Sequence, residues 1–162
     1  MKSLINTAQS AANLLKKSGQ TLSVSESAAG GLISAALVAI PGASAYYVGG
    51  TVIYTHDARL GLLAIGDADM SGMRASTEPY ALLGAQRIRA LLNTTWAVAE
   101  TGASGPTGNR YGDAAGHACI AVAGPIERTI TLETGDSDRE ANMQAFAEAA
   151  LKLLADTIAS SA

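Results

Sequence analysis

Leu4, Ala8, Ala11, Ala12 and Leu15 recur at three- and four-residue spacing, the pattern of an amphipathic helix with one buried face, and Ser18-Gly19 supplies its stop. The period then shortens. Thr21 to Ser25 (TLSVS) reads as a short strand, Gly31 to Ile40 (GLISAALVAI) as a helix ended by Pro41, and Gly49 to Thr55 (GGTVIYT) as a second strand, which together make a βαβ unit. A short helix is expected after Asp57. A longer one opens at Thr77-Glu78-Pro79, where proline is tolerated in the first turn, with Leu82, Ala85, Ile88 and Leu92 as its buried stripe. Thr95 to Glu100 (TWAVAE) is a third strand, and His117 to Gly124 and Arg128 to Thr134 form a hairpin through Pro125. Ser137-Asp138-Arg139-Glu140 has the form of a capping box, opening a last helix with Met143, Phe146, Ala150, Leu154 and Ile158 on one face. This order predicts an α/β fold, a three-layer α/β/α sandwich with a mixed, largely parallel sheet, in a single domain over residues 1–162.

From Ser27 to His56 the chain carries no formal charge, but Gly30-Gly31, Pro41-Gly42 and Gly49-Gly50 divide that stretch into pieces too short to span a bilayer. It is therefore read as core, with part of it available to a subunit interface, and a homo-oligomer is expected. A net charge of −3 with 11 Lys and Arg, none clustered beyond Lys16-Lys17, gives no footprint for nucleic acid. One cysteine and no apolar leader segment point to the cytoplasm. The histidines, at 56 and 117, and the lone Cys119 do not make a zinc constellation, and neither metal nor cofactor is expected. His117 and Cys119 alternate along a strand that reads as buried, which makes them core residues.

Four polar or glycine-rich segments follow predicted strands, where open α/β sheets place their sites: SESAAGG (25–31), YTHDAR (54–59), ETGASGPTG (100–108) and TGDSDR (134–139). Thr101 to Gly108 superficially matches a dinucleotide-binding turn, but such a turn must open a helix, and here a strand follows; a dinucleotide-binding oxidoreductase is the weakest of the functional readings. SESAAGG offers hydroxyls, a carboxylate and the free N–H groups of a helix start, suited to an anion or an oxyanion, although Ser25 or Ser27 as a plain helix cap explains it as well.

Taken in order, ESAAGG (Glu26 to Gly31), PGASA (Pro41 to Ala45), GTVIYTHDAR (Gly50 to Arg59), TGASGP (Thr101 to Pro106) and GDSDR (Gly135 to Arg139) resemble the carboxy-terminal domain of the CinA family, the nicotinamide mononucleotide deamidases. The resemblance spans nearly the whole chain. The family's amino-terminal domain, similar to molybdopterin-binding proteins, has no counterpart in the sequence, so a stand-alone deamidase-type domain is expected.

The resemblance implies hydrolysis of the carboxamide of nicotinamide mononucleotide, giving nicotinic acid mononucleotide and ammonia. It matches the family's serine and tyrosine to Ser44 and Tyr54, and its lysine to Arg59. A buried lysine can be tuned to a neutral amine; a guanidinium stays protonated, so the Ser-Lys chemistry is expected to be disabled. The motif also loses polar groups at Ala28, Ala29 and Ala43. Residues expected to bind substrate are Glu26, Ser27, Gly30, Gly31, His56, Thr101, Gly102, Gly105 and Arg139, the last suited to a phosphate. A small-molecule substrate, such as a pyridine mononucleotide, is the expected partner. The competing expectation is a catalytically silent binding or regulatory paralogue, and Ser27 is the second candidate nucleophile.

Overall fold

Helix α1 (Lys2–Ser18) buries Leu4, Ala8, Ala11, Ala12 and Leu15, the face its periodicity predicts, in a computed structural model that describes residues 1–161. Gly19 ends it in the left-handed region (φ 65°). The chain continues through β1 (Leu22–Glu26), α2 (Leu32–Val38), a 3₁₀ turn (Ala43–Ala45), β2 (Tyr47–Val52), α3 (His56–Leu63), α4 (Glu78–Leu92), β3 (Trp96–Ala103), β4 (His117–Ala123), β5 (Arg128–Glu133) and α5 (Arg139–Ser160). Strand β2 ends before the expected Thr55, because that side chain leaves the extended run to cap α3, accepting from the Ala58 N–H at 3.2 Å. At α5 the cap is Asp138 and not Ser137: its carboxylate accepts from the Ala141 N–H at 2.9 Å.

The sheet order is β2-β1-β3-β4-β5. β2, β1 and β3 pair in parallel, while β3–β4 and β4–β5 are antiparallel, so four of the five strands point one way and β4 alone opposes them. Helices α1, α2 and α5 cover one face and α4 the other, giving the α/β/α layers.

Strand alternation decides which face each residue serves. Val24, Val98, Ile120 and Val122 point toward α1 and α5, where Phe146, Leu151 and Leu154 meet them in the larger core. Ala97, Ala99, Ala121 and Ala123 point toward α4. Because these are small, α4 settles close to the sheet on Ala81, Gly84, Ala85 and Ile88, and Leu82 and Leu92 are left half-buried at its margin. Each fully buried aliphatic or Phe side chain contributes about 1.5–3 kcal/mol, so the two cores together hold the strand ends in fixed relation. Among the described residues no helix is long and apolar enough to cross a membrane.

Candidate functional site

Parallel β1, β2 and β3 bring their carboxyl ends to one edge, and a two-lobed cleft opens there with volumes of about 330 and 410 Å³. Ser27, Tyr54, Gly102 and Asn109 border both lobes. Gly105 and Arg139 line the first lobe, and His56, Arg59 and Thr101 the second. Segments as far apart in sequence as Ser27 and Arg139 thus converge through the sheet.

Arg139 ties this edge together. From the first turn of α5 its Nη1 donates to the Gly105 carbonyl and its Nη2 to the Tyr54 hydroxyl, each at 2.5 Å. Gly105 has φ 109°, and a Cβ there would lie 2.7 Å from the Ser137 carbonyl oxygen, so both conformation and space call for glycine. Asn142, 1% exposed, fixes the same loop by donating to the carbonyls of Ser104 and Asp136 at 2.9 Å.

Arg59 is only 12% exposed. Its Nε donates to the Ile65 carbonyl at 3.2 Å and its Nη2 to Asp67 Oδ1 at 3.1 Å. His56 Nε2 meets the same Asp67 oxygen at 3.1 Å. Bonding to His56, and then the charges of His56 and Arg59, hold the Asp67 carboxyl below the usual carboxylate range. The guanidinium therefore braces the turn after α3 while bordering the second lobe; it is a fixed positive charge and cannot accept a proton.

Four expected site residues lie elsewhere in function or place. Ser44 is exposed in the 3₁₀ turn before β2, at the amino end of that strand, and borders neither lobe. The length of β2, roughly 17 Å for six residues, separates it from Tyr54. Glu26 is fully buried and saturated: Oε2 accepts from the N–H groups of Gly31 and Ile33 at 3.0 Å, and Oε1 from the Ser34 N–H at 2.8 Å and hydroxyl at 2.6 Å. Gly30 and Gly31, with φ of 65° and 99°, turn the chain so that these donors face Glu26, and neither lines the cleft. The anion site expected at this helix start is thus already filled by the protein's own carboxylate.

A second carboxylate completes that arrangement, and pattern reading passed over it. Glu100, 3% exposed, accepts through Oε2 from the N–H groups of Ser27 at 3.1 Å and Ala29 at 2.8 Å, while Oε1 has no partner among the described residues. Burial pushes its carboxyl up to about 7, against the N–H bonds that favour the charge. The available signal was a lone carboxylate in the otherwise apolar run TWAVAE.

Along the outer rim, Arg74 forms a two-pronged pair with Asp113 at 2.7 and 3.0 Å, and Asn109 Nδ2 donates to the same carboxylate at 2.8 Å. The Arg74 and Arg110 guanidinium groups both lie over the Tyr111 ring, at 5.2 and 5.1 Å. The buried Ser76, at φ 59°, donates its N–H to Thr101 Oγ1 at 3.3 Å, and His117 Nε2 meets its carbonyl at 2.9 Å. His117 also bonds Glu133; burial alone would lower the imidazole, but these partners carry it upward. Among the described residues no group of three His, Cys, Asp or Glu side chains converges to hold a metal. The loop after β3 leads into antiparallel β4 and opens no helix, which removes the geometric basis for a dinucleotide turn.

The sequence model of the family described as the CinA C-terminal domain matches residues 5–158. A CinA-like protein of Gloeobacter violaceus is 40% identical over 129 residues, covering 79% of this chain and 30% of the relative. One from Trichormus variabilis is 37% identical over 120 residues, 74% of this chain and 29% of the relative. This chain therefore spans about three-tenths of the length of these relatives. Among solved structures, a competence-damaged protein (CinA) superfamily member from Klebsiella pneumoniae superposes with TM-score 0.90 at 25% identity, covering 97% of this chain and 98% of that one. The competence/damage-inducible protein CihA of Agrobacterium tumefaciens gives 0.88 at 28% identity, with 96% and 95% covered. Sequence match and superposition run the length of the same α/β/α domain, and the chain belongs to the CinA C-terminal domain family.

Proposed function

We propose that the cleft is an amidohydrolase-type site for a pyridine mononucleotide in which a fixed cation has replaced the tunable lysine, so that ligand binding persists and turnover is slow or absent. The observation that carries this reading is the charge of the lining. Arg59, Arg110 and Arg139 border the two lobes and, among the described residues, no carboxylate does, in a chain of net charge −3. Such a lining favours an anion, and arginine suits a phosphate group in particular. Tyr54, Tyr80 and Tyr111 in the second lobe offer faces to a flat heterocycle.

In this reading Ser27, and not Ser44, supplies the reacting hydroxyl. Its Oγ would add to the carboxamide carbon, the C–N bond would break with ammonia leaving, and water would then release the acid and restore the serine. The serine proton needs an acceptor. Arg59 stands in the lysine position with its guanidinium bonded to Ile65 and Asp67, and this supports binding over turnover. Oxyanion donors would have to come from the 102–105 loop or Tyr54, because Glu26 and Glu100 occupy N–H groups of the 27–34 turn. Calorimetric titration with nicotinamide mononucleotide, with ammonia release measured in parallel, tests the proposal. Saturable binding that is lost in Arg139→Ala supports it, and no binding at millimolar ligand rejects it.

A further inference from the structure

Ser27 owes its place to a group beneath it. The 27–29 turn joins β1 to α2, and its backbone N–H groups point away from the cleft, into the protein, where Glu100 Oε2 accepts those of Ser27 and Ala29. Glu100 itself is held by β3, paired with β1 on one side and with β4 on the other, where Ile120 stands opposite it. The contact therefore links the central strand of the sheet to the residue that borders both lobes. No other side chain hydrogen-bonds to the Ser27 backbone among the described residues.

We infer that Glu100 is a positioning residue whose carboxylate orders the 27–29 turn and so fixes Ser27 in the cleft. This rests on the reading above, in which Ser27 is the reacting hydroxyl. The charged form is the better acceptor for several converging N–H donors, so ordering increases as the carboxyl ionises. The raised proton affinity of Glu100 brings that ionisation near neutrality. The groups around it are few. Glu26 at the end of β1 is the ionisable neighbour that acts on it, raising it further; the turn contributes only N–H groups; α2 carries no ionisable residue; and Arg139 and Glu140, at the near end of α5, occupy exposed positions. Ionisation is costly for the fold but useful to the turn. Because the folded-state value lies above that of a free carboxyl, stability is full below about 4.5 and declines as pH rises to about 7, while the order of the turn increases across the upper part of that range.

The test is a two-dimensional ¹H–¹⁵N titration of the whole chain from about pH 5 to about pH 9. The Ser27 and Ala29 amides are expected to move downfield together with a midpoint near 7, and the movement is expected to vanish in Glu100→Gln. In the same variant the pH dependence of Tm over this range should flatten. Flat Ser27 and Ala29 amides in the wild-type protein, or a shift that survives in Glu100→Gln, would overturn the inference; the wild-type measurement needs no variant to fold. A functional arm uses Arg59→Lys as background and nicotinamide mononucleotide as probe: Glu100→Gln should lower kcat at least tenfold with KM changed less than threefold, and Glu100→Asp should recover part of the loss. An unchanged kcat there rejects the positioning role. Amides that titrate as expected in a protein without ligand binding would sustain the role of Glu100 and reject the mononucleotide reading alone.

Discussion

Arg139 and Tyr54 are joined by an Nη2–Oη hydrogen bond of 2.5 Å, so the first turn of α5 and the segment after β2 form one wall of the cleft. The same guanidinium holds the Gly105 carbonyl, which ties the loop after β3 to that wall. Arg139→Ala should weaken binding of a phosphate-bearing ligand at least tenfold, the cost of a charge-assisted contact, while unfolding free energy falls by about 1 kcal/mol. Calorimetric titration and urea unfolding of the same variant check both halves. Arg139→Lys should recover little, since one ammonium cannot reproduce the planar fork that reaches two oxygens.

Gly105→Ala is expected to destabilise the protein by about 1–3 kcal/mol, measured by denaturant unfolding, because the new Cβ would meet the Ser137 carbonyl and the residue would be held at positive φ. Ligand binding should fall with it. A variant as stable as the parent would show that the loop relaxes freely.

Acid should act through the rim. Paired with Arg74, the Asp113 carboxyl is held down to about 2, so the stability it contributes is present above the ordinary carboxyl range and is lost as pH falls from about 4 through about 2. The Tm of the wild-type protein should fall across that window more steeply than that of Asp113→Asn, compared by thermal scans at matched ionic strength.

The layers were legible because they rest on periodicity: α1 and α5 bury the faces their spacing predicts, apart from Met143, which is half-buried. Motifs that follow a strand, at Ser27, Tyr54, Arg59 and Gly102, lie along the cleft, where a parallel sheet gathers the carboxyl ends of its strands. Ser44 borders neither lobe, because PGASA precedes β2 and a parallel sheet gathers the opposite ends of its strands. Glu26 and Glu100 were hard to assign for another reason. Their partners are backbone N–H groups, which every sequence contains, so no side-chain pattern records that these carboxylates are spent on the turn. The Arg74–Asp113 pair spans 39 residues and depends on loop paths that local propensity does not set.

Ammonia release from nicotinamide mononucleotide tests the central claim most directly, measured for the wild-type protein, Arg59→Lys, and Arg59→Lys combined with Ser27→Ala or with Ser44→Ala. The wild-type protein should show little or no release, and Arg59→Lys should gain activity. That gain should be lost with Ser27→Ala and kept with Ser44→Ala. Its size is limited by Ala28, Ala29 and Ala43, since a misplacement of about 1 Å costs on the order of a hundredfold in rate. Robust wild-type turnover would contradict the account and direct attention to His56 as the base; a gain abolished by Ser44→Ala and indifferent to Ser27→Ala would contradict the assignment of the nucleophile.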